Sequence, residues 1–231
     1  EFKGKQDVLR YTLTTIAPET KDADFTWADF QAKNNNELLA ILGNFINRTI
    51  VLTHKYYQGV IPELGTPTEL EQEVLNKIKE FPTSIGNSIE KFRFREALAE
   101  YMNLARLGNK YLTDAEPWKK QKENPEAVKT ILHVSLQICA ALSVLGEPFL
   151  PFTAKKIQNM LNIDIHEWEK GGRTDLLKAG EKINSAEYLF ENIDDATIAK
   201  QIKKLEDSKA KKLMEQTPAI EAKTDVTYEE F

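Results

Sequence analysis

Two pairs of side chains in this sequence could hydrogen-bond to unpaired nucleic-acid bases or stack on them. Asn44 and Arg48 lie four residues apart in the stretch LGNFINR, so on a helix they are neighbours one turn apart. Asn offers a donor and an acceptor and Arg a fork of donors, which suits the edges of unpaired bases. Trp118 follows Pro117 among charged residues, and an exposed indole on a turn fixed by proline can stack on a base. The structural alternatives are a solvated helix face and an indole folded onto the core.

Two further features are candidates for the same surface. Asn109 precedes the Pro-Trp turn in the stretch LGNKYL, and its structural interpretation is a helix C-terminal cap after Gly108. Several lysines between 200 and 212 fall on one predicted helix and could contact a phosphate backbone. The same helix is also typical of a solvated amphipathic helix, with its apolar residues packing inward: Ile198, Ile202 and Leu205.

No catalytic or metal-binding pattern accompanies these residues. His54, His133 and His166 have no ligand-like neighbour at metal spacing. The pair Gly171-Gly172 lacks the pattern of a phosphate-binding loop. Nothing combines a nucleophile, a base and an oxyanion donor. We therefore expect a chain that binds without catalysing and that holds no metal or cofactor of its own.

Composition limits the classes of partner and compartment. The 231 residues are 41% apolar, enough for one large domain or two small ones. A net charge of −5 argues against indiscriminate nucleic-acid binding, so such a role would need local, specific contacts. The single cysteine, Cys139, lies in an apolar run, which indicates a core residue and a reducing compartment. Without a signal peptide or an uninterrupted apolar run of about 18–20 residues, we expect a cytoplasmic protein with no membrane partner.

Asn44 and Arg48 belong to the most regular helical pattern of the chain, NNNELLAILGNFINRTIVLTHKYYQG. Asn34 with Glu37 three residues later has the form of a capping box, which predicts a helix that begins there and ends before Gly59. A helical wheel places apolar residues on a wide arc that must face a core. Three polar residues fall on the opposite side: Asn44, Arg48 and Lys55.

The remaining pattern is also helical. Helices are predicted from Thr68 toward Pro82 and Gly86, at about 93–112 and 125–146, and again after the two prolines of EPFLPF. The helix at 125–146 is apolar over much of its surface and should be central. Residues from 166 on are predicted to be irregular until a last helix at about 194–214. Since no strand alternation is sustained before residue 166, the predicted fold class is all-α, an antiparallel helix bundle.

Four stretches, in this order and spacing, resemble the anticodon-binding domain of bacterial methionyl-tRNA synthetases. They are DFTWADFQAKNNNELLAILGNFINRTI, KYYQGVIPELG, GNKYLTDAEPWKKQKENPE and LGEPFLPFTAKKIQNML. The resemblance covers residues 7–213. LGNFINR together with Asn-Lys-Tyr, five residues and then Pro-Trp is specific to this enzyme within its class, whereas either piece alone would be a weak signal.

The resemblance implies a domain that recognises the CAU anticodon of methionine tRNA. Asn44 and Arg48 match the helix pair that contacts anticodon bases in this family. Trp118 matches the tryptophan against which the first anticodon base is held, Pro117 shapes that turn, and Asn109 matches the asparagine that precedes it.

The resemblance also implies a longer parent enzyme, because the family's catalytic fold with its HIGH-like and KMSKS-like signatures is absent here. ATP, Mg²⁺ and, in many members, zinc would belong to that missing part. Residues 1–33 would connect to it, 34–165 would form the anticodon-binding bundle, and 166–214 would form a C-terminal segment and helix. Residues 215–231 would lead toward an absent OB-type tRNA-binding module, through which the parent enzyme could form a homodimer.

An alternative of another class remains open. The chain could be a helical protein–protein docking module in which an exposed Trp118 anchors the interface. RNA preference separates the two hypotheses, since a docking module would bind no anticodon loop selectively.

Overall fold

The computed structural model describes residues 4–20 and 22–216, with side chains described up to residue 212. Its helices are α1 (Gln6–Thr15), α2 (Trp27–Ala32), a π-helical stretch π1 (Lys33–Gly43), α3 (Asn44–Tyr57), α4 (Glu69–Glu90), α5 (Phe94–Ala115), α6 (Pro117–Glu123), α7 (Pro125–Leu145), α8 (Pro151–Leu161), a 3₁₀ turn (Trp168–Gly172) and α9 (Asp195–Gln216). The only β-pairing in this described part is one isolated antiparallel bridge, between Val60 and Lys182. The all-α prediction is confirmed.

The helix that carries Asn44 begins earlier than the sequence pattern predicts. Its N-terminal cap is Thr26, whose hydroxyl accepts a hydrogen bond of 3.0 Å from the backbone N–H of Asp29. Backbone dihedral angles remain right-handed helical at Ala32 and at Gly43, so α2, π1 and α3 run on without a break. The predicted start at Asn34 is therefore wrong, because Thr26 and Asp29 supply the competing cap.

Two other helices differ from the prediction at proline residues. The expected cap at Thr68 is present, since its backbone N–H donates to the Glu71 carboxylate at 2.9 Å. The same helix, α4, then continues through Pro82 and past the predicted end near Gly86 to Glu90. The turn predicted at Pro117 leads directly into the short helix α6, which has the proline as its first residue.

The helix α7 lies at the centre of the bundle, as its composition predicts. From Thr130 to Leu145 every residue is buried. By length and composition alone, α7 is long and apolar enough to cross a membrane, which was not predicted from the sequence. In the structure, however, 94% of its most apolar stretch is buried inside the protein. Cys139 is fully buried there, and burial raises the pKa of its thiol well above the usual value. The cysteine is thus a core residue.

The chain divides into two compact units, Glu1–Ile193 and Asp194–Phe231. The boundary expected at residue 34 falls inside continuous helix, and the one expected at 166 falls inside the first unit. Residues 166–193 pack on the bundle: the Trp168 indole N–H, for example, donates to the carbonyl of Pro82 at 3.2 Å. The first unit thus contains both α1 and this irregular segment.

Candidate nucleic-acid interface

Asn44 and Arg48 emerge from a helix whose other face is completely buried. Asn44 is exposed and Arg48 half-buried, whereas Phe45 and Ile46 between them are fully buried. The preceding turns are π-helical: the backbone N–H of Asn44 donates to the carbonyl of Leu39, five residues back. A π-helical stretch widens the helix and changes which side chains share a face, and such stretches are frequent at functional sites. The predicted polar side of this helix is thus present at Asn44 and Arg48.

A sharp turn between α5 and α6 positions Trp118. Glu116 adopts a left-handed backbone conformation, with φ 46° and ψ 56°, which ends α5. Pro117 follows as the first residue of α6 and is buried, so the proline ring anchors the turn while the next residue points outward. Trp118 retains 37% of its accessible surface. The indole is therefore on the surface, although one of its neighbours covers part of it.

That neighbour is Arg48. Its guanidinium carbon lies 5.1 Å from the centroid of the Trp118 ring, within the range of a cation–π contact. Two features far apart in the sequence thus form one surface: a planar cation and a planar aromatic group in contact, with Asn44 one helical turn away. A base that stacks on such a pair could also hydrogen-bond to free guanidinium donors and to the Asn44 amide.

Asn109 is half-buried, and its side chain is already hydrogen-bonded within the bundle. Its side-chain amide donates to the carbonyl of Ile41 in π1, at 2.8 Å, and to the carbonyl of Ala105, at 3.2 Å. Since α5 continues to Ala115, the alternative interpretation of Asn109 as a helix cap is wrong. A direct contact between Asn109 and RNA stays a prediction. In the structure, this side chain ties α5 to the helix that carries Asn44.

Sequence reasoning did not select Asn47 and Tyr188, which share a groove with Asn44. Leu39, Ala40 and Gly43 form one side of this groove, and Leu189 and Phe190 line the other. Tyr188 is 80% exposed. Asn47 could have been found by its place in LGNFINR, but no local pattern brings residue 188 to this helix.

The structure also describes the other residues that the sequence singled out. In α9, Lys200, Lys203 and Lys204 are exposed, and so are Ile202 and Leu205, which contradicts the interpretation that these two pack inward. Each histidine has local partners; His133, for example, contacts the carbonyl of Pro62 at 2.8 Å. No group of three or more His, Cys, Asp or Glu side chains within residues 4–20 and 22–212 is placed to hold a metal ion.

Comparison with known families assigns this helical protein first to a class and then to a family. A family model described as class I tRNA synthetases of the methionine type matches residues 3–50. A second, described as the anticodon binding domain of methionyl tRNA ligase, matches residues 61–210. This second match spans more than half of the chain, so the chain belongs to the family of methionyl-tRNA ligase anticodon-binding domains.

Similar proteins of known name agree with this assignment. The chain is 58% identical over its whole length to 34% of a methionine–tRNA ligase of Cytophaga hutchinsonii. It is 51% identical, again over its whole length, to 36% of the ligase of Flavobacterium johnsoniae. The chain thus spans about a third of these relatives. The apo methionyl-tRNA synthetase of Mycobacterium tuberculosis shares the fold, with a TM-score of 0.76 and 20% identity over 81% of this chain and 39% of that one.

Proposed function

We propose that this chain recognises the CAU anticodon of methionine tRNA and thereby serves tRNA aminoacylation by a methionine–tRNA ligase. The observation that carries the proposal is the contact between Arg48 and Trp118, beside the exposed Asn44. Family membership supports an anticodon as the ligand, and this surface supports unpaired bases as the part of it that is bound.

Trp118 supplies the stacking surface and Arg48 the directional hydrogen bonds. Stacking of a base on an aromatic side chain contributes about 1–3 kcal/mol and tolerates any base. Selection among bases therefore falls to the hydrogen-bonding groups of Arg48 and Asn44. Because the net charge is −5, phosphate contacts can contribute little non-specific affinity, and binding to other RNA should be weak and sensitive to salt.

The proposal extends to a longer protein, because this chain corresponds to only about a third of its relatives' length. In that protein, anticodon binding would help to place the acceptor end of the tRNA in a catalytic domain, so that anticodon contacts would appear in the charging rate. ATP, Mg²⁺ and any zinc would bind in that domain. We assign the protein to the cytoplasm. The proposed homodimer contacts would belong to the OB-type module toward which residues 215–231 would lead.

The test compares two stem-loop RNAs, one with a CAU loop and one with the first anticodon base changed. Tryptophan fluorescence of the chain reports binding, and Trp118→Phe identifies which part of the signal comes from residue 118, since Trp27 and Trp168 also fluoresce. We expect the CAU loop to quench Trp118 and to bind more tightly. Arg48→Ala should weaken binding of the CAU loop much more than binding of the changed loop.

The matched control for Arg48→Ala is Lys55→Ala, which removes an exposed positive charge from the same helix. Equal losses in the two variants would mean that only charge matters and would contradict base recognition. If the folded chain shows no preference between the loops, the docking hypothesis replaces this one.

A further inference from the structure

Tyr188 is the most exposed aromatic residue among the large apolar side chains that the structure describes, with 80% of its surface accessible. A single exposed aromatic side chain needs no explanation by itself. The surroundings of Tyr188 are unusual, however, because the ring stands between two hollows. One is lined by Asn44 and Asn47, and the other by Lys5 and Lys156 together with the acidic residues Asp7 and Glu191.

The segment that carries Tyr188, residues 184–193, is fixed at both ends and is called the strap below. At its start, the backbone N–H of Asn184 donates to the carbonyl of Met160 at 2.7 Å. At its end, Asn35 forms two hydrogen bonds with the backbone of Ile193, of 2.8 and 2.9 Å. Asn34 donates to the carbonyl of Glu191 at 2.8 Å. Asn34, which resembled a helix cap in the sequence, and its neighbour Asn35 therefore hold the strap in place.

The strap also packs closely on the helix that carries Asn44. Phe190 is buried, and a Cβ atom at Gly43 would lie 3.4 Å from its ring. An open groove of about 410 Å³ lies between the strap and this helix, beside Asn44. This volume falls within the ~300–1,000 Å³ of clefts that bind small ligands, so it is large enough for a planar ring.

The groove continues the surface already described. Arg48 lies on Trp118, Asn44 lies one turn before Arg48, and Asn44 in turn lines the groove of Tyr188. Two exposed aromatic rings thus belong to one surface that also carries amide and guanidinium donors. Sites for single-stranded RNA combine these groups, because successive unstacked bases lie on aromatic rings and hydrogen-bond through their edges.

We propose that Tyr188 is a second base-stacking residue, which binds an anticodon-loop nucleotide next to the one on Trp118, with Asn47 at its base edge and Lys156 at its phosphate. Lys156 is exposed, and its ammonium has no ion-pair partner among the side chains described. Lys5, in contrast, is paired with Glu191 at 3.4 Å. The inference rests on the proposed function and adds a second nucleotide position to it.

The test measures the affinity of the chain for a CAU stem-loop RNA that carries the fluorescent base 2-aminopurine at each loop position in turn. Tyr188→Ala should weaken binding about 5- to 150-fold, the range that corresponds to one stacked base. It should also remove the fluorescence change at one loop position that Trp118→Ala leaves intact. Tyr188→Phe should preserve both affinity and signal, because stacking needs the ring and not the hydroxyl.

A matched control is Phe92→Ala, which removes another exposed aromatic ring, 75% accessible, that lines neither hollow. This variant should bind as the unmodified chain does. Lys156→Ala should reduce the slope of log affinity against log salt by about one, as loss of a single phosphate contact does.

The outcomes separate this inference from the proposed function. Unchanged binding by Tyr188→Ala, together with weaker binding by Trp118→Ala, overturns the second stacking position and leaves anticodon recognition in place. If the chain does not prefer the CAU loop, both proposals fail. Loss of the same 2-aminopurine signal in both variants would also overturn the inference, since the two rings would then not hold different nucleotides.

Discussion

The sequence predicts that Asn44 and Asn109 lie on the same surface, but in the structure they lie in two different regions of the molecule. Asn44 is exposed next to Arg48, in a region where side chains have unused hydrogen-bonding capacity. Asn109 is half-buried and donates to two backbone carbonyls in the packing between α5 and π1. We call the first region, where RNA is proposed to bind, the binding surface, and the second the framework.

The difference indicates how the two kinds of function are separated. In the framework, Phe45 is fully buried and its ring is so close to Gly108 that an added Cβ would lie 2.5 Å away. Interiors packed this closely respond to the loss of even one methylene group. The binding surface, one residue away at Asn44, has no such constraint. Framework changes should therefore alter stability, and changes in the binding surface should alter affinity alone.

The largest effect that this comparison predicts is in the framework. Phe45→Ala should lower the free energy of unfolding by about 3–5 kcal/mol, because it removes a fully buried ring and leaves a cavity. Denaturant titration followed by circular dichroism measures this. Val51→Ala, on an exposed position of the same helix, is the control and should change stability by less than about 0.5 kcal/mol. Similar losses in the two variants would mean that the helix has no distinct buried face.

A smaller effect in the framework depends on pH. Glu71 is buried, and its carboxylate accepts hydrogen bonds from the Thr68 N–H at 2.9 Å and the Tyr111 hydroxyl at 3.0 Å. Burial alone raises the pKa of Glu71, but the hydrogen bonds from Thr68 and Tyr111 outweigh burial and lower it below the usual value. A carboxyl whose folded-state pKa is lowered stabilises the fold above its unfolded pKa of about 4.3, and this stabilisation is lost as pH falls through the folded value.

Glu71→Gln should therefore destabilise the protein by about 1–3 kcal/mol at neutral pH, as the loss of charged hydrogen bonds does. The difference from the unmodified chain should shrink as the pH falls below about 4. Urea titrations at several pH values measure it. Glu73→Gln, at an exposed position of the same helix, is the control and should change stability little. If the loss of stability in Glu71→Gln does not change with pH, the charge of this carboxylate does not contribute to stability and the prediction is contradicted.

The sequence predicts the framework's helices well where their apolar periodicity is strong, as in α5 and α7. It mistakes the start of the long helix because Asn34 and Glu37 satisfy a local capping pattern, whereas the amide of Asn34 in fact binds the carbonyl of Glu191, far along the chain. A local pattern carries no information about such a partner. The same limit applies to π1, which no residue spacing in the sequence predicted.

On the binding surface, the sequence identifies candidate residues by their type, but it does not show which of them contact one another. Asn44, Arg48 and Trp118 could be selected because polar and aromatic groups stand where packing does not require them. That the guanidinium of Arg48 lies over the Trp118 ring is a tertiary contact, which neither helix encodes alone. Tyr188 is harder still to predict, because the strap is irregular and tertiary contacts, such as the hydrogen bonds to Asn34 and Asn35, bring it to the groove.

The smallest predicted effect is the one that tests the boundary between the two regions, and it concerns Asn109. Asn109→Ala should destabilise the fold by about 1 kcal/mol, because the carbonyls of Ile41 and Ala105 lose a donor. Asn103→Ala is the matched control on the same helix, since Asn103 is exposed and its hydrogen bonds are to the surface residues Glu100 and Arg106. Thermal unfolding and the affinity for the CAU stem-loop are measured on both variants.

If Asn109 only positions the helix of Asn44, its loss should weaken RNA binding less than Arg48→Ala does, and the loss of affinity should accompany the loss of stability. A variant as stable as the unmodified chain that binds RNA as poorly as Arg48→Ala would place Asn109 against a base, as the family resemblance implies. The side chain would then have to exchange its bond to the Ile41 carbonyl for one to RNA. In that case Asn109 would belong to both the framework and the binding surface, and the two regions would not be separate at this residue.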